Sequence, residues 1–278
     1  MAEQQQPTAK VHPRVGIVGM GAIGNGVARL LVQEAAGFVL TGVNGGKSLK
    51  NVEAIQVANR TIPVMGLDDL VACCDIIVDC APATAFRAIA EASLGAGRQL
   101  VTVSGAALLS NMEVKEIARA AGGRIILATG ALLGLDAVRA AAEGEIFSAR
   151  LVTRKPPSSL EKAKFVIENR LDLSNLPKAL KIFEGSAREA ALAFPANVNV
   201  AAALALAGIG PERTMVEIWA DPELERNTHR VAIEADSTRL DMTIENVPDP
   251  ANPATGRITA LSIYSALKSI NAVMRIGS

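Results

Sequence analysis

The stretch Val15 to Leu31, VGIVGMGAIGNGVARLL, constrains the fold of this chain more than any other. Gly19, Gly21 and Gly24 stand between an apolar run of buried-strand length and an amphipathic run of helical period. In this GxGxxG spacing the first glycine permits a tight turn, the second lets backbone approach a pyrophosphate, and the third lets the helix pack closely on the strand. The backbone amides that open the helix then face the phosphates. On spacing alone a merely tight strand-to-helix turn stays open. Context favours a dinucleotide, because FVLTGV, from Phe38, reads as a second strand and completes a β-α-β unit.

Further along, the short apolar runs TIPV, DIIVDC, QLVTVS and RIILAT alternate with helical stretches such as ATAFRAIAEASLGAG and NMEVKEIARAAGG. Strands alternating with helices predict an α/β fold, a doubly wound parallel Rossmann sheet over residues 13–134, preceded by a disordered tail over residues 1–12. The pattern changes after Gly134. An Ala-rich helix leads into SARLVTRKPP, a polar stretch runs to about Asn175, and two Ala-rich helical segments follow around Arg188 and Ala202. MVEIWA, HRVAIEA and RLDMTIE then come in close succession, predicting a second, α+β domain over residues 135–255 with an antiparallel or mixed sheet. The amphipathic segment within residues 256–278 is expected to pack back on the first domain as a helix.

Composition narrows the function classes. The 278 residues are half hydrophobic, enough for two cores, and 28 basic residues balance 28 acidic ones. With no net charge there is no global positive field to attract nucleic acid or an anionic membrane, and no uninterrupted apolar segment has the roughly 18 residues of a membrane span. Cys73, Cys74 and Cys80 cluster in CCDIIVDC, without zinc-ligand spacing or a nearby histidine, so they read as buried thiols and no metal site is expected. With no secretory signal ahead of them, the expected compartment is the reducing cytoplasm.

Histidine, the side chain whose ordinary acidity suits proton transfer near neutral pH, is scarce. Besides His12 in the tail there is only His229, in ADPELERNTHRV, where a turn gives way to a strand. On local sequence a structural histidine and a catalytic one both stay open. Arg154 and Lys155 end a strand ahead of two prolines, as a carboxylate clamp or as solvated charges. Asn197, in FPANVNV, is a candidate helix N-cap or ligand contact, with Asn199 close by, and Thr255, in NPATG, is a candidate cap or anion contact. An NAD-selective fold carries Asp or Glu about 20 residues beyond its glycine loop, on the ribose hydroxyl. Here that position is Asn44, and no carboxylate stands between Phe38 and Lys50. Asn44 can bond a hydroxyl but cannot repel a phosphate, and Lys47 and Ser48 add a cation and a donor. NADP is therefore expected beside NAD, the alternative being a flexible glycine turn with Lys47 in solvent.

Taken together, GMGAIG, VSGAALLSN, TGALLGLDAVRAA, TRKPP, FEGSAREAALAFPANVNVAAALALAG, ADPELERNTH and NPATG resemble the L-aspartate dehydrogenase family, from about Arg14 to the C-terminus. The FPANVNVAAALALAG and DPELERNTH segments are the most specific, since ordinary Rossmann dehydrogenases lack them. The resemblance implies reversible oxidative deamination of L-aspartate to oxaloacetate and ammonium through iminosuccinate, with NAD or NADP; in the family this can feed NAD biosynthesis. It places the catalytic histidine on His229 and cofactor contacts on Ala22, Ile23, Ala81, Ser104, Ala131 and Asn197. Water attacking the imine needs a base, which His229 can supply, and the two substrate carboxylates need partners, for which Lys155, Asn197 and Thr255 are the candidates in falling order. A second-domain sheet of about three strands with one apolar face offers a homodimer interface. Two other readings remain: a homoserine-type or dihydrodipicolinate-type reductase, whose own motifs are absent, and a sensor that binds NAD(P) without turnover.

Overall fold

A computed structural model describes residues 12–34, 37–195 and 198–277, except for the side chains of Pro253 and Ala254. The tail MAEQQQPTAK, expected to be disordered, and Asn197 lie outside the described residues. From the N-terminal side the elements are β1 (Arg14–Val18), α1 (Ala22–Gln33), β2 (Val39–Asn44), β3 (Ala54–Val57), β4 (Arg60–Pro63), α2 (Leu67–Cys73), β5 (Ile76–Asp79), α3 (Phe86–Gly95), β6 (Gln99–Thr102), α4 (Gly105–Ser110), α5 (Val114–Ala121) and β7 (Arg124–Leu127). Five strands form a parallel sheet in the order β2-β1-β5-β6-β7. β5 is buried at every residue and β1 at all but Arg14, as strands covered on both faces must be. The chain reverses its direction across the sheet between β1 and β5, which opens a crevice at their carboxyl ends, where such sheets bind ligands.

The run TIPV departs from expectation. Its first three residues lie in β4, which pairs with β3 in a two-stranded hairpin, and its last, Val64, meets the main sheet through an isolated parallel bridge to Val43 of β2. Pro63 has no N–H for a ladder, and of the four residues of β4 only Ile62 is buried, so a doubly covered place was closed to it.

The remaining elements are α6 (Leu135–Ala142), β8 (Ile146–Lys155), α7 (Lys164–Glu168), β9 (Leu180–Ser186), α8 (Ala187–Ala193), α9 (Asn199–Ala207), β10 (Thr214–Ala220), β11 (Asn227–Ala235), β12 (Arg239–Asn246), β13 (Pro248–Asp249), β14 (Asn252–Gly256) and α10 (Ile258–Asn271). The second sheet is mixed and has five strands, in the order β12-β11-β8-β10-β9, with β8 and β10 parallel and the other neighbours antiparallel. About three strands were expected. β9 escaped because an edge strand need bury little: within it only Ile182 and Ser186 are buried.

On the inner face Ala149, Leu151, Val216, Ile218, Val231 and Ile233 are packed with Val138, Ala190 and Leu204 of the helices in one core. Phe194 anchors it, its ring centroid 5.1 Å from that of Phe165 and 5.5 Å from that of Phe183. The outer face carries the pairs Arg150–Glu217 and Arg230–Asp241 beside exposed Met215 and half-buried Val152 and Trp219. The apolar face invoked for a dimer is thus covered by the chain's own helices.

α10 returns to the first domain. Its Ile263, Tyr264 and Leu267 share a core with Val15, Ile17 and Val27. A Cβ on Gly26 would come within 2.9 Å of the Ala260 Cβ, so glycine is what allows the two helices to approach so closely.

Candidate functional site

The crevice in the first domain is shaped by backbone. Gly19 has φ +95°, and a Cβ there would lie 2.5 Å from the Cys80 carbonyl and the Ala81 nitrogen; one on Gly24 would lie 1.9 Å from the Gly19 oxygen. A Cβ on Gly21 would meet nothing within 4 Å, so the space in front of the second glycine is open. Gly21 is also the N-cap of α1, with no side-chain cap and no acidic residue in the first turn. Uncapped amides at the positive end of a helix, facing open space beside a turn only glycine can make, fit the pyrophosphate of a dinucleotide. Ala22 and Ile23 belong to that first turn.

At the end of β2 the side chains are largely engaged. The Asn44 amide donates to Met65 O at 2.7 Å, Asn44 Oδ1 accepts from Gly46 N at 3.1 Å, and the Ser48 hydroxyl donates to Gly45 O at 2.7 Å. The Lys47 side chain stands exposed on the short 3₁₀ turn Gly46–Leu49.

A second feature lies where the two domains meet, a cavity of about 110 Å³ whose walls include Ile23, Ala131, Lys155, Asn227, His229 and Thr255. The strands explain how these side chains converge. Alternate residues of β8 and β11 face the core, and on that face Ala149 and Leu151 are followed by Thr153 and Lys155, while Ile233 and Val231 are followed by His229 and Asn227. Antiparallel register sets His229 directly opposite Thr153. Where helices cover the face it is apolar, and where it reaches the domain junction the same face turns polar.

His229 is only 4% exposed, and its Nδ1 lies 3.0 Å from Thr153 Oγ1. When Nδ1 donates to that hydroxyl, the lone pair sits on Nε2. Burial, and then the charge of Lys155, push the imidazole down to about 3, so it is neutral at neutral pH. Lys155, 5% exposed, is itself lowered by burial to about 8 and stays mostly charged at pH 7. A buried neutral base beside a buried cation can receive a proton and hold an anion.

Other sequence candidates fall in different places. Gly19, Gly21, Ala22, Gly24, Asn44, Lys47, Ser48, Ala81 and Ser104 are absent from the cavity wall and lie along the first-domain crevice, Ala81 and Ser104 following β5 and β6. Thr255 is in β14, two residues before Arg257, the N-cap of α10, so it caps no helix; its Oγ1 accepts from Asn252 at 3.2 Å. α9 begins at Asn199 with Val198 as its N-cap, and Asn199 Oδ1 accepts from Ala106 N at 3.1 Å, joining the domains. Residue-by-residue reading left out Thr153 and Asn246, whose amide donates to Ala131 O at 3.1 Å. Period-two alternation back from His229 could have flagged Asn227. Nothing in the sequence announces that Thr153 is its cross-strand partner. Burial raises the thiol of Cys74 to about 12 and pushes that of Cys80 up further, so neither is a ready nucleophile. Among the described residues no group of three or more His, Cys, Asp or Glu could hold a metal, and no helix is long and apolar enough to cross a membrane.

Residues 136–270 match the family described as aspartate dehydrogenase, C-terminal, and residues 19–128 match that described as homoserine dehydrogenase, NAD binding domain. The chain is 47% identical to an L-aspartate dehydrogenase of Bradyrhizobium diazoefficiens, over 98% of this chain and 96% of the relative. It is 45% identical to L-aspartate dehydrogenase 3 of Bordetella bronchiseptica, over 95% and 97%. Among solved structures, the aspartate dehydrogenase of Thermotoga maritima is similar with a TM-score of 0.71 at 23% identity, covering 96% of this chain and all of that one. A homoserine dehydrogenase of Thiobacillus denitrificans gives 0.60 at 14% identity, covering 93% and 73%. At such identities the two solved structures speak to the fold alone.

Proposed function

This chain belongs to the L-aspartate dehydrogenase family, and from that premise we propose that it catalyses the reversible conversion of L-aspartate, water and NAD(P)⁺ to oxaloacetate, ammonium, NAD(P)H and a proton through iminosuccinate. The observation that carries the reading is the pairing of buried His229 with buried Lys155 in a cavity that the glycine-loop helix touches through Ile23. When bound, the nicotinamide cofactor supplies the hydride acceptor for the substrate Cα. Lys155 holds a substrate carboxylate, with Thr255 as a second contact. His229 takes a proton from the water that attacks the imine carbon and returns it as the nitrogen departs, help worth roughly 100-fold to 10,000-fold. Thr153 fixes the ring through Nδ1. A carboxylate paired with Lys155 offsets the positive charge that helps depress His229, so substrate binding makes the base stronger.

Both cofactors are accepted in this reading. No acidic side chain stands at the end of β2 to repel a 2′-phosphate, and exposed Lys47 is positioned to attract one. Free Cys73, Cys74 and Cys80 fit a reducing compartment such as the cytoplasm.

The test is a screen of purified protein against L-aspartate, the other standard amino acids and homoserine with each cofactor, and against oxaloacetate plus ammonium in reverse, followed at the nicotinamide absorbance. Aspartate alone should reduce the cofactor. Oxidation of homoserine instead would favour the reductase reading, and cofactor binding with no turnover of any compound would favour the sensor.

A further inference from the structure

β5 ends in a carboxylate, that of Asp79, which is fully buried. Burying a charge is costly unless hydrogen bonds replace its water, so its partners show what it is for. Its partners are neutral and lie at the end of β6 and in the loops that follow β5 and β6. Oδ2 accepts from the Thr102 hydroxyl of β6 at 2.8 Å, and Oδ1 accepts from the Ala81 N–H at 3.1 Å. Thr102 Oγ1 in turn accepts from Ser104 N at 2.9 Å, and the Ser104 hydroxyl is a further hydrogen-bond partner of the carboxylate. One side chain thus ties down the loop after β5 and the loop after β6. The glycine loop rests on the first of these, since Gly19 has no room for a Cβ against the Cys80–Ala81 peptide. Asp79 is paired with Val18 across the β1–β5 boundary, at the crevice where an open parallel sheet binds its ligand.

We propose that Asp79 is a positioning residue for the dinucleotide, holding the Ala81 and Ser104 loops and, through Ala81, the seat of the glycine loop in the shape that accepts the cofactor. The proposal rests on the function proposed above, because it takes that crevice to bind NAD(P). An acid is suited to the task because a carboxylate accepts on both oxygens at once. In Asp79→Asn one oxygen still receives the Ala81 N–H, but the amide that replaces the other donates where the Thr102 hydroxyl needs an acceptor. Thr102→Val breaks the second arm and leaves the first.

The experiment measures NADPH and NADH dissociation constants by nucleotide fluorescence in the full-length protein, together with melting temperature and the Michaelis constant for aspartate at saturating cofactor. Asp79→Asn should raise the cofactor constant about tenfold or more and Thr102→Val about threefold or more. Thr102→Ser, which keeps the hydroxyl, should stay within about twofold of the parent. The aspartate constant should move less than about twofold in all three. A merely structural role would lower the melting temperature and leave the cofactor constant alone. The proposal is overturned if Asp79→Asn and Thr102→Val bind cofactor like the parent, or if cofactor and aspartate constants rise together. Should Asp79→Asn not fold, Thr102→Val decides by the same criteria. A parent that binds neither cofactor removes the proposed function and this inference with it, whereas a parent that binds while the variants bind equally well removes only the inference.

Discussion

The first-domain crevice and the interdomain cavity are built from different materials. The crevice is made by glycines, uncapped amides and peptide groups, with side chains held back: Gly21 leaves open space, Asn44 is spent on the Met65 carbonyl and the Gly46 amide, and Ser48 bonds its own loop at Gly45. The cavity is lined by the side chains of His229, Lys155 and Asn227 at one end of an otherwise apolar sheet face, with Thr153 behind the imidazole. Backbone suits a ligand whose phosphates never change during a reaction. Protons must be moved and charge bound at the substrate, and only side chains with tuned acidity do that.

The largest test of this division is His229→Ala. It should lower turnover by at least about 100-fold while the NAD(P)H dissociation constant stays within about twofold, because the imidazole serves the water and not the nucleotide. A folded variant with parental turnover would take His229 out of the mechanism.

Lys155→Ala should raise the Michaelis constant for aspartate about tenfold or more with little effect on that for cofactor, since a hydrogen bond between charged groups is worth roughly 1.5–3 kcal/mol. The pH dependence follows from the same group. Its acidity is set to about 8, so the cation is lost as pH rises through that value, and the parental aspartate constant should climb above it. The variant's constant should lack that rise. An effect confined to the cofactor constant would move Lys155 to the other region.

Lys47→Glu probes the crevice. It should shift the ratio of catalytic efficiencies from NADP toward NAD by about tenfold, or roughly 1.4 kcal/mol. A parent more than about 100-fold selective for NAD in steady-state kinetics would contradict the reading of β2.

The smallest expected effect concerns folding. His229 titrates at about 3 in the folded protein against 6.5 as its ordinary value. Between those values the unfolded chain binds a proton that the folded one refuses, so this residue's contribution to stability is present above 6.5 and declines as pH falls toward 3. Denaturant midpoints at pH 6.5 and 5 should therefore differ less in His229→Ala than in the parent. An unchanged difference would mean that the histidine is not held neutral.

The two regions were also unequally legible. Gly19, Gly21 and Gly24 are near neighbours, and the apolar run before them is the strand β1 and the run after them the helix α1. The cavity was half visible: His229 stood out because histidine is scarce, and Lys155 because prolines follow it, but Thr153 lies 76 residues from His229 and meets it only through strand register. Register depends on which strands become neighbours, and local patterns do not encode that. For the same reason TIPV passed as a strand of the main sheet and β9 was not seen. Asp79 was hidden inside an apolar run that drew notice for its cysteines, with Thr102, its partner, 23 residues further on.

The return of α10 to the first domain has a mechanical consequence. The second domain is an excursion of the chain, attached at both its beginning and its end. One crossing passes through Thr129 to Ala131 and the other through Thr255 and Gly256, and both crossings border the cavity. They are clamped, the first by Gly130 N donating to Ser262 Oγ at 3.0 Å and the second by Arg257 N donating to Val247 O at 2.9 Å. A third tie, Ala106 N donating to Asn199 Oδ1, joins the packed helices α4 and α9, so the cavity walls are fastened by two chain crossings and a helix contact together.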